Sequence, residues 1–183
     1  KSSFCAFLYG LRSDYQGQIE LLDKHGQRIS SSEAARCEMR RRSLALMFQE
    51  HRIFPELTAV ENVMLKNMLT DYYTEQQVRQ MLKQLGLQER LDTPCARLSL
   101  GQQQRVAIAR AIVSDPTLLI CDEPTGDLDR QSAEDILGLL QTLNREHGKT
   151  IVMVTHDPKA AEYASHTLHL DKGSLVEPQT QAA

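Results

Sequence analysis

Apolar positions along the chain form short continuous runs separated by longer stretches with helical spacing. Three runs of strand length stand at Leu44–Phe48, Leu118–Cys121 and Thr150–Val154. Between them, apolar residues recur every three to four positions, which predicts amphipathic helices. Short apolar strands that alternate with helices are typical of a mostly parallel sheet covered on both faces. The pattern therefore predicts an α/β fold.

Helix starts are marked by Ser or Thr followed three residues later by Glu or Gln, the capping-box pattern. Such pairs begin at Ser30, Thr58, Thr74 and Ser99. The predicted helices are Phe4–Leu11, a helix from Ser30 through Arg42, one from Thr58 to about Leu69, one from Thr74 to its cap at Gly86, Leu100–Ser114, Gln131–His147 and Lys159–Ala164.

Two further segments carry strand patterns. Gly17–Leu22 alternates like a strand, and Thr167–Leu170 with Ser174–Val176 predicts a hairpin that turns at Lys172-Gly173. The predominantly helical stretch 58–114 predicts a helical subdomain inserted into a single domain that covers residues 1–183.

The composition is that of an ordinary globular domain, with 183 residues, 41% hydrophobic, 25% charged and a formal net charge of −3. This balance gives no reason to expect a nucleic-acid partner. The four cysteines lack metal-ligand spacing, and Cys121 lies inside an apolar run, which favours a reduced cytoplasmic chain. Apolar runs fall short of the roughly 18–20 residues that span a bilayer, so a role at a membrane would require spanning helices from another chain.

Two carboxylates directly follow the apolar run Leu118–Cys121. Asp122 and Glu123 would stand at the carboxyl end of a strand, where open α/β sheets bind their ligands. Asp122 would bind Mg²⁺ there, directly or through water. The alternative interpretation is a solvated loop with two acids before Pro124.

The helix predicted from Leu100 has an N-terminus suited to an anion. Ser99 is a good N-cap and Gln102 completes a capping box, as in any well-formed helix. Gly101 in the first turn costs about 1 kcal/mol of helix propensity relative to alanine. That cost makes sense if a phosphate must approach the backbone N–H groups at the positive end of the helix dipole.

These segments, in this order, resemble the motifs of the ATP-binding cassette (ABC) ATPases. Leu98–Gln102 is similar to the LSGGQ signature, with leucine at the third position, and Leu118–Glu123 is similar to the Walker B strand. Residues 126–129 resemble the D-loop, while Gln49 and His156, each at the end of an apolar run, match the Q-loop and the H-loop. A lone glutamine or histidine in a loop would otherwise be read as structural or exposed. The resemblance covers essentially all of the chain and implies a RecA-like P-loop NTPase fold.

The first residues, Lys1-Ser2-Ser3, are similar to the end of a P-loop, G-x-x-x-x-G-K-[ST], without its glycines. On this interpretation the N-terminal strands and the glycine-rich loop are absent from the sequence, and the natural protein is expected to be longer at its N-terminus. Lys1 would neutralise phosphate charge, Ser2 would ligate Mg²⁺, and Ser3 would be a secondary phosphate contact.

The resemblance also implies catalytic and metal-binding roles. Glu123 would be the general base that polarises the attacking water, and His156 would contact the γ-phosphate. Gln49 would reach the attacking water and, with Ser2 and Asp122, would hold Mg²⁺.

Contacts across a dimer are implied as well. The helix end formed by Ser99, Gly101 and Gln102 would contact the γ-phosphate held by the opposite subunit, so that two copies pair head to tail around shared ATP sites. Asp129 would couple the two sites.

The implied function is the ATP-binding and hydrolysing subunit of an ABC transporter complex, with ATP and Mg²⁺ as cofactors. It would lie in the cytoplasm at the inner face of the cell membrane and power a separate transmembrane permease. Ile53, Phe54 and Leu57 would lie near the surface that receives the permease, although a core-filling role is equally compatible with them. The Gln49–Val63 region and residues 125–129 are similar to the lipoprotein-releasing, macrolide-export and cell-division branch.

Two alternatives stay open. A soluble ABC ATPase that acts on DNA or ribosomes would be expected to carry a long coiled-coil insertion or a second cassette, and neither pattern occurs in this sequence. A non-hydrolysing nucleotide-binding or interaction module would fit a chain without the glycine-rich loop, since that loop supplies much of a phosphate site.

Overall fold

The protein is described by a computed structural model that covers residues 2–22, 28 and 32–176. Its α-helices are α1 (Ser2–Leu8), α2 (Glu33–Arg42), α3 (Ala59–Asn67), α4 (Glu75–Gln84), α5 (Leu100–Ile112), α6 (Arg130–Arg145) and α7 (Pro158–Ala161). Its strands are β1 (Leu44–Met47), β2 (Leu118–Asp122), β3 (Thr150–Val154), β4 (His169–Asp171) and β5 (Ser174–Val176). A short 3₁₀ helix spans Cys95–Arg97.

Strand β2 lies between β1 and β3, and both pairings are parallel. Leu44 pairs with Leu118, which in turn pairs with Thr150, so the three strands start level with one another. Their carboxyl ends therefore meet at one edge of the sheet, where Asp122 pairs with Val154. The predicted α/β fold with a parallel sheet is confirmed.

Two clusters of buried apolar side chains share helix α5. One cluster packs α5 and α6 on the sheet through residues such as Ile108, Leu119 and Ile136. The other packs α5 against α3 and α4, through Val106 and Leu82 among others. Because α5 buries opposite faces in the two clusters, it joins the helical region to the sheet. The division of the chain into a domain of residues 1–183 with a subdomain at 58–114 stays a prediction.

The capping boxes predicted at Thr58, Thr74 and Ser99 are all formed. At Thr58, the backbone N–H donates to the Glu61 carboxylate at 2.8 Å, and the Thr58 hydroxyl accepts from the Glu61 N–H at 3.2 Å. Helix α2 instead begins after Ser32, whose hydroxyl accepts from the N–H of Ala35. The capping role predicted for Ser30 lies outside the described residues.

The hairpin prediction is confirmed at the C-terminal end of the described chain. Strands β4 and β5 are antiparallel, with Leu170 opposite Leu175. Lys172 and Gly173 both have positive φ, at 48° and 87°, which is the backbone of a two-residue type I′ turn.

The strand predicted at Gly17–Leu22 is wrong. Leu22 makes one isolated bridge to Arg28, and the rest of the segment has no strand partner among the described residues. Ile19 and Leu22 are 38% and 57% exposed, so the alternating pattern of this segment does not produce a buried apolar face. A strand pattern becomes a strand only where a neighbouring strand satisfies its backbone groups.

None of the helices in the described residues is both long enough and apolar enough to cross a membrane.

Leu82 of α4 provides a test of the helical core, because its side chain is fully buried. We expect Leu82→Ala to lower the free energy of unfolding by about 2–5 kcal/mol, through lost burial and the cavity left behind. The matched change Leu65→Ala, at a side chain that is 40% exposed, should cost much less. Denaturant unfolding of both variants measures the difference, and equal losses would contradict the packing described here.

Candidate active site

The parallel sheet brings three of the predicted site residues to one edge. Asp122 is the last residue of β2, while Gln49 and His156 each follow the end of a neighbouring strand by two residues. Since the three strands run parallel and in register, the segments that follow them lie side by side. Residues distant in the sequence thus form one candidate site at the carboxyl edge, as open α/β sheets commonly arrange.

Asp122 is buried, with 7% of its surface exposed. Its Oδ1 atom is shielded from solvent and has no hydrogen-bond partner among the described residues. A buried carboxylate oxygen without a partner is unfavourable, unless a cation satisfies it. This oxygen fits the predicted role of Asp122 in binding Mg²⁺.

Glu123 and His156 form a close pair across the ends of β2 and β3. His156 Nδ1 lies 2.9 Å from Glu123 Oε1, and the His156 backbone N–H donates to Oε2 at 3.2 Å. The Glu123 side chain is 10% exposed and that of His156 is 71% exposed. The pair therefore fixes the orientation of a nearly buried carboxylate and leaves the imidazole open to a ligand.

The backbone at Glu123 is held in an uncommon conformation. Its φ is 50°, and its N–H donates to the carbonyl of Val154 at 2.8 Å. A non-glycine residue with positive φ costs free energy and persists only where its surroundings over-determine it. Here the hydrogen bond to Val154 holds the backbone of Glu123, and the contacts with His156 hold its carboxylate.

Gln104 is a buried contributor that sequence reasoning missed. Its side-chain N–H donates to the carbonyl of Pro124 at 2.6 Å, and its Oε1 is buried without a partner among the described residues. The bond ties α5 to the residue after Glu123. The available signal was helical spacing, since the apolar residues Ala107 and Ile108 follow Gln104 by three and four positions and would lie on the same helix face.

Helix α1 packs against β2, the strand that ends at Asp122. Burial of Cys5, together with the negative charge of nearby Asp122, raises the pKa of the Cys5 thiol to about 11. Ser2 and Ser3 form the exposed first turn of α1, and the Ser3 hydroxyl accepts from Arg12 at 3.4 Å. Lys1 lies outside the described residues, so its predicted phosphate contact stays a prediction.

A site for Mg²⁺ here would need donors besides the protein's own carboxylates. Within residues 2–22, 28 and 32–176, no cluster of three His, Cys, Asp or Glu side chains could hold a metal by itself. Mg²⁺ usually binds through one or two protein groups together with substrate phosphates and water. Asp122, with the oxygens of Ser2 and Gln49, would be a donor set of that kind, and this ligand set stays a prediction.

The N-terminal end of α5 opens into a groove of about 290 Å³. Ser99 caps the helix by accepting from the Gln102 N–H at 3.3 Å, and Gln102 Oε1 accepts from the Ser99 N–H at 3.1 Å. The groove is lined by Gly86, Ser99, Gly101, Gln102, Arg105 and Ser132. Polar side chains and helix N–H groups thus face an open space, as an anion site would require.

Gly101 has a packing role that the sequence did not predict. A Cβ atom at this position would lie 3.0 Å from Ser132 Oγ and 3.3 Å from Ser132 Cβ. The absence of a side chain therefore allows the start of α6 to approach α5 closely. The phosphate contact predicted for Gly101 is a second reason for glycine at this position and stays a prediction.

Asp129 holds Ser132 in that contact. It caps α6 by accepting from the Ser132 N–H at 3.0 Å and from the Ser132 hydroxyl at 2.6 Å. These hydrogen bonds keep the pKa of Asp129 below its ordinary value. Asp129 thus has a structural role beside the signature-like helix end, and its predicted action across a dimer stays a prediction.

Comparison with known proteins identifies the family. The family model described as ABC transporter matches residues 1–126. The chain belongs to the ABC transporter family. The ATP-binding protein YbbA of Escherichia coli K12, named as uncharacterized, is 42% identical over 181 residues, which cover 97% of this chain and 78% of YbbA.

Two further comparisons agree with this assignment. The lipoprotein-releasing system ATP-binding protein LolD of Legionella pneumophila (strain Lens) is 40% identical over 178 residues, which cover 96% of this chain and 78% of LolD. The ATP-binding cassette MJ0796, solved as a dimer in a post-hydrolysis state with ADP and Pi, has a TM-score of 0.82 and 30% identity. That match covers 96% of this chain and 78% of MJ0796. The predicted P-loop NTPase fold and the likeness to the lipoprotein-releasing branch are confirmed.

The contact between Gly101 and Ser132 can be tested by a double-mutant cycle. We expect Gly101→Ala to destabilise the protein less in a Ser132→Ala background, because that background lacks the hydroxyl that lies closest to the added methyl group. A coupling of about 0.5–3 kcal/mol in the free energy of unfolding is typical of residues in contact. Strictly additive effects in denaturant unfolding would show that the two residues do not limit each other.

Proposed function

We propose that this cassette is the ATP-binding and ATP-hydrolysing subunit of an ABC transporter complex. The observation that carries the proposal is the Glu123–His156 pair beside a buried oxygen of Asp122 that has no hydrogen-bond partner among the described residues, at the carboxyl edge of the parallel sheet. A fixed base next to a buried carboxylate oxygen that could bind a cation suits the hydrolysis of a metal-bound nucleotide.

Glu123 acts on the attacking water in this proposal. Its carboxylate orients the water toward the γ-phosphorus and accepts its proton, while the bond between the γ-phosphorus and the β–γ bridging oxygen breaks. ADP leaves with that electron pair, and inorganic phosphate is the second product. Phosphoryl transfer of this kind depends mainly on positioning and charge stabilisation, which is what a rigidly held carboxylate provides.

His156 both positions the base and contacts substrate. In this proposal a proton on Nδ1 is donated to Glu123 Oε1, 2.9 Å away, which leaves Nε2 free to contact substrate. Nε2 would meet an oxygen of the γ-phosphate. When bound, Mg²⁺ would neutralise charge on the β- and γ-phosphates, and Asp122, Gln49 and Ser2 are the residues that would hold it.

A second copy of the chain completes the site in this proposal. The groove beside Ser99, Gly101 and Gln102 is open, and the helix end presents N–H groups to it. A γ-phosphate held by the opposite subunit would occupy this groove, with Asp129 nearby. The dimeric MJ0796 cassette, similar over 96% of this chain, supports the pairing of two copies.

The membrane partner is proposed to dock next to the Gln49 loop. Phe54 is 52% exposed, whereas Ile53 packs against the helical core. Leu57 is half-buried. Of the three candidates, Phe54 is therefore the best surface contact for a permease. The match to a lipoprotein-releasing ATP-binding protein supports work at the inner face of the cell membrane beside a separate permease.

Glu123→Gln tests the general base. We expect kcat for ATP hydrolysis to fall by about 10²–10⁴-fold, because the amide cannot accept the proton. ATP should then trap the protein as a dimer, measured by size-exclusion chromatography with light scattering. Glu134→Gln is the matched control, since Glu134 is an exposed partner of Arg130 on α6.

Two outcomes of that experiment would change the assignment. Unchanged turnover in Glu123→Gln would remove Glu123 as the base. Absence of ATP binding in both the wild-type protein and the control would favour the non-hydrolysing module instead.

Asp122→Asn tests the proposed cation site by stability as well as by activity. Replacing a buried carboxylate, one oxygen of which has no partner in the described part of the chain, with a neutral amide should raise or preserve the melting temperature without Mg²⁺. The further rise on adding ATP with Mg²⁺ should be smaller than in wild type, because ligand stabilisation follows affinity. An equal rise in both proteins, measured by scanning calorimetry, would place the cation elsewhere.

A further inference from the structure

Arg110 of α5 forms hydrogen bonds to the chain segment that follows Gln49. Its Nη1 donates to the carbonyl of Arg52 at 2.7 Å, and its Nη2 donates to the carbonyl of His51 at 2.9 Å. These carbonyls belong to the second and third residues after Gln49. One planar guanidinium thus holds two successive peptide groups, a geometry that its fixed fork of donors allows.

The surroundings of Arg110 set it apart from a surface arginine. Its side chain is partly buried, and burial lowers its pKa from the ordinary value. Among the described residues it forms no ion pair with a carboxylate. A charged group that is withdrawn from water without a counter-ion is unfavourable. Its two backbone acceptors, bound by short charge-assisted hydrogen bonds, are what compensate for that loss of water.

The segment is also held at its two ends. At its start, the Arg52 guanidinium lies 3.8 Å from the centre of the Phe48 ring, and Arg52 has a φ of 47°. At its end, the fully buried Asn62 accepts from the Phe54 N–H at 2.8 Å and donates to the Phe54 carbonyl at 2.9 Å. These contacts hold the two ends of the segment, and the hydrogen bonds from Arg110 fix its middle relative to α5.

Helix α5 connects these hydrogen bonds of Arg110 to the rest of the candidate site. The same helix carries Ser99 and Gly101 at its N-terminal end, and its Gln104 bonds to the carbonyl that follows Glu123. Arg110 lies near the other end of the helix. Helix α5 therefore fixes the positions of the Gln49 segment, the Glu123 turn and the groove relative to one another.

We infer that Arg110 is a positioning residue, which holds the Gln49 side chain at the site through the carbonyls of His51 and Arg52. The inference rests on the proposed function for its catalytic consequence, since Gln49 is proposed there to hold Mg²⁺ and to reach the attacking water. In this inference Arg110 acts through these two carbonyls and not by contact with the nucleotide.

The kinetic test compares Arg110→Met, Arg110→Lys and Gln49→Ala, with Arg97→Met as a control at an exposed arginine. Misplacing a catalytic group by about 1 Å can cost up to about 10²-fold. We expect Arg110→Met to lower kcat by up to that factor, with the KM for ATP nearly unchanged. Arg110→Lys should restore part of the lost kcat, because lysine keeps the positive charge. The rescue should be incomplete, because an ammonium group cannot reproduce the planar pair of donors of a guanidinium.

The double variant Arg110→Met with Gln49→Ala separates positioning from general destabilisation. If Arg110 acts through Gln49, the double variant should be no slower than Gln49→Ala alone. Losses in kcat that multiply would overturn the inference, because they would mean that the two residues act independently.

Hydrogen–deuterium exchange tests whether Arg110 holds the Gln49 segment, without relying on ATPase activity. In Arg110→Met, the amides of residues 49–54 should exchange faster, while those of β2 and α6 should keep their protection. Unchanged exchange at residues 49–54 would overturn the inference. If the wild-type protein does not hydrolyse ATP, the proposed function fails, and exchange alone decides whether Arg110 holds the segment.

Discussion

The parallel pairing of β2 with β1 and β3 is the constraint on which the rest of the structure depends. It places Asp122 opposite Val154 and brings the segments after all three strands to one edge. Without that register, Glu123 could not meet His156, a residue 33 positions away in the sequence. The pairing is stable because β2 is buried by helices, and Leu119, Ile120 and Cys121 have almost no exposed surface.

Helix α5 is the second element that organises the site. Its apolar faces belong to two cores, and its polar side chains bind backbone carbonyls in two different loops. Gln104 reaches the turn after Glu123, and Arg110 reaches the segment after Gln49. Backbone carbonyls do not change with sequence, so these bonds impose a geometry on the loops whatever their side chains are. The helix that presents its N-terminus to the groove therefore also sets the positions of the loops that follow Gln49 and Glu123.

Local signals in the sequence predicted much of this structure. The capping boxes at Thr58, Thr74 and Ser99 formed because both partners of each box lie within four residues. Lys172-Gly173 formed the hairpin turn for the same reason, since its backbone preference needs no distant contact. Gly17–Leu22 failed because a strand depends on a neighbour that its own pattern does not specify. The site residues Asp122, Glu123 and His156 could be named from motif order, but not their distances.

The sequence by itself determined the family, the parallel α/β class and the residue types available for chemistry, because strand runs, caps and motif order are encoded locally. Only the tertiary structure decided which groups meet. It showed that Gly101 makes room for Ser132, that Gln104 holds the Pro124 carbonyl, and that Arg110 holds the Gln49 segment. Each of these contacts joins residues at least 20 positions apart, and their encounter depends on how helices pack on the sheet. No periodicity within one segment records such packing.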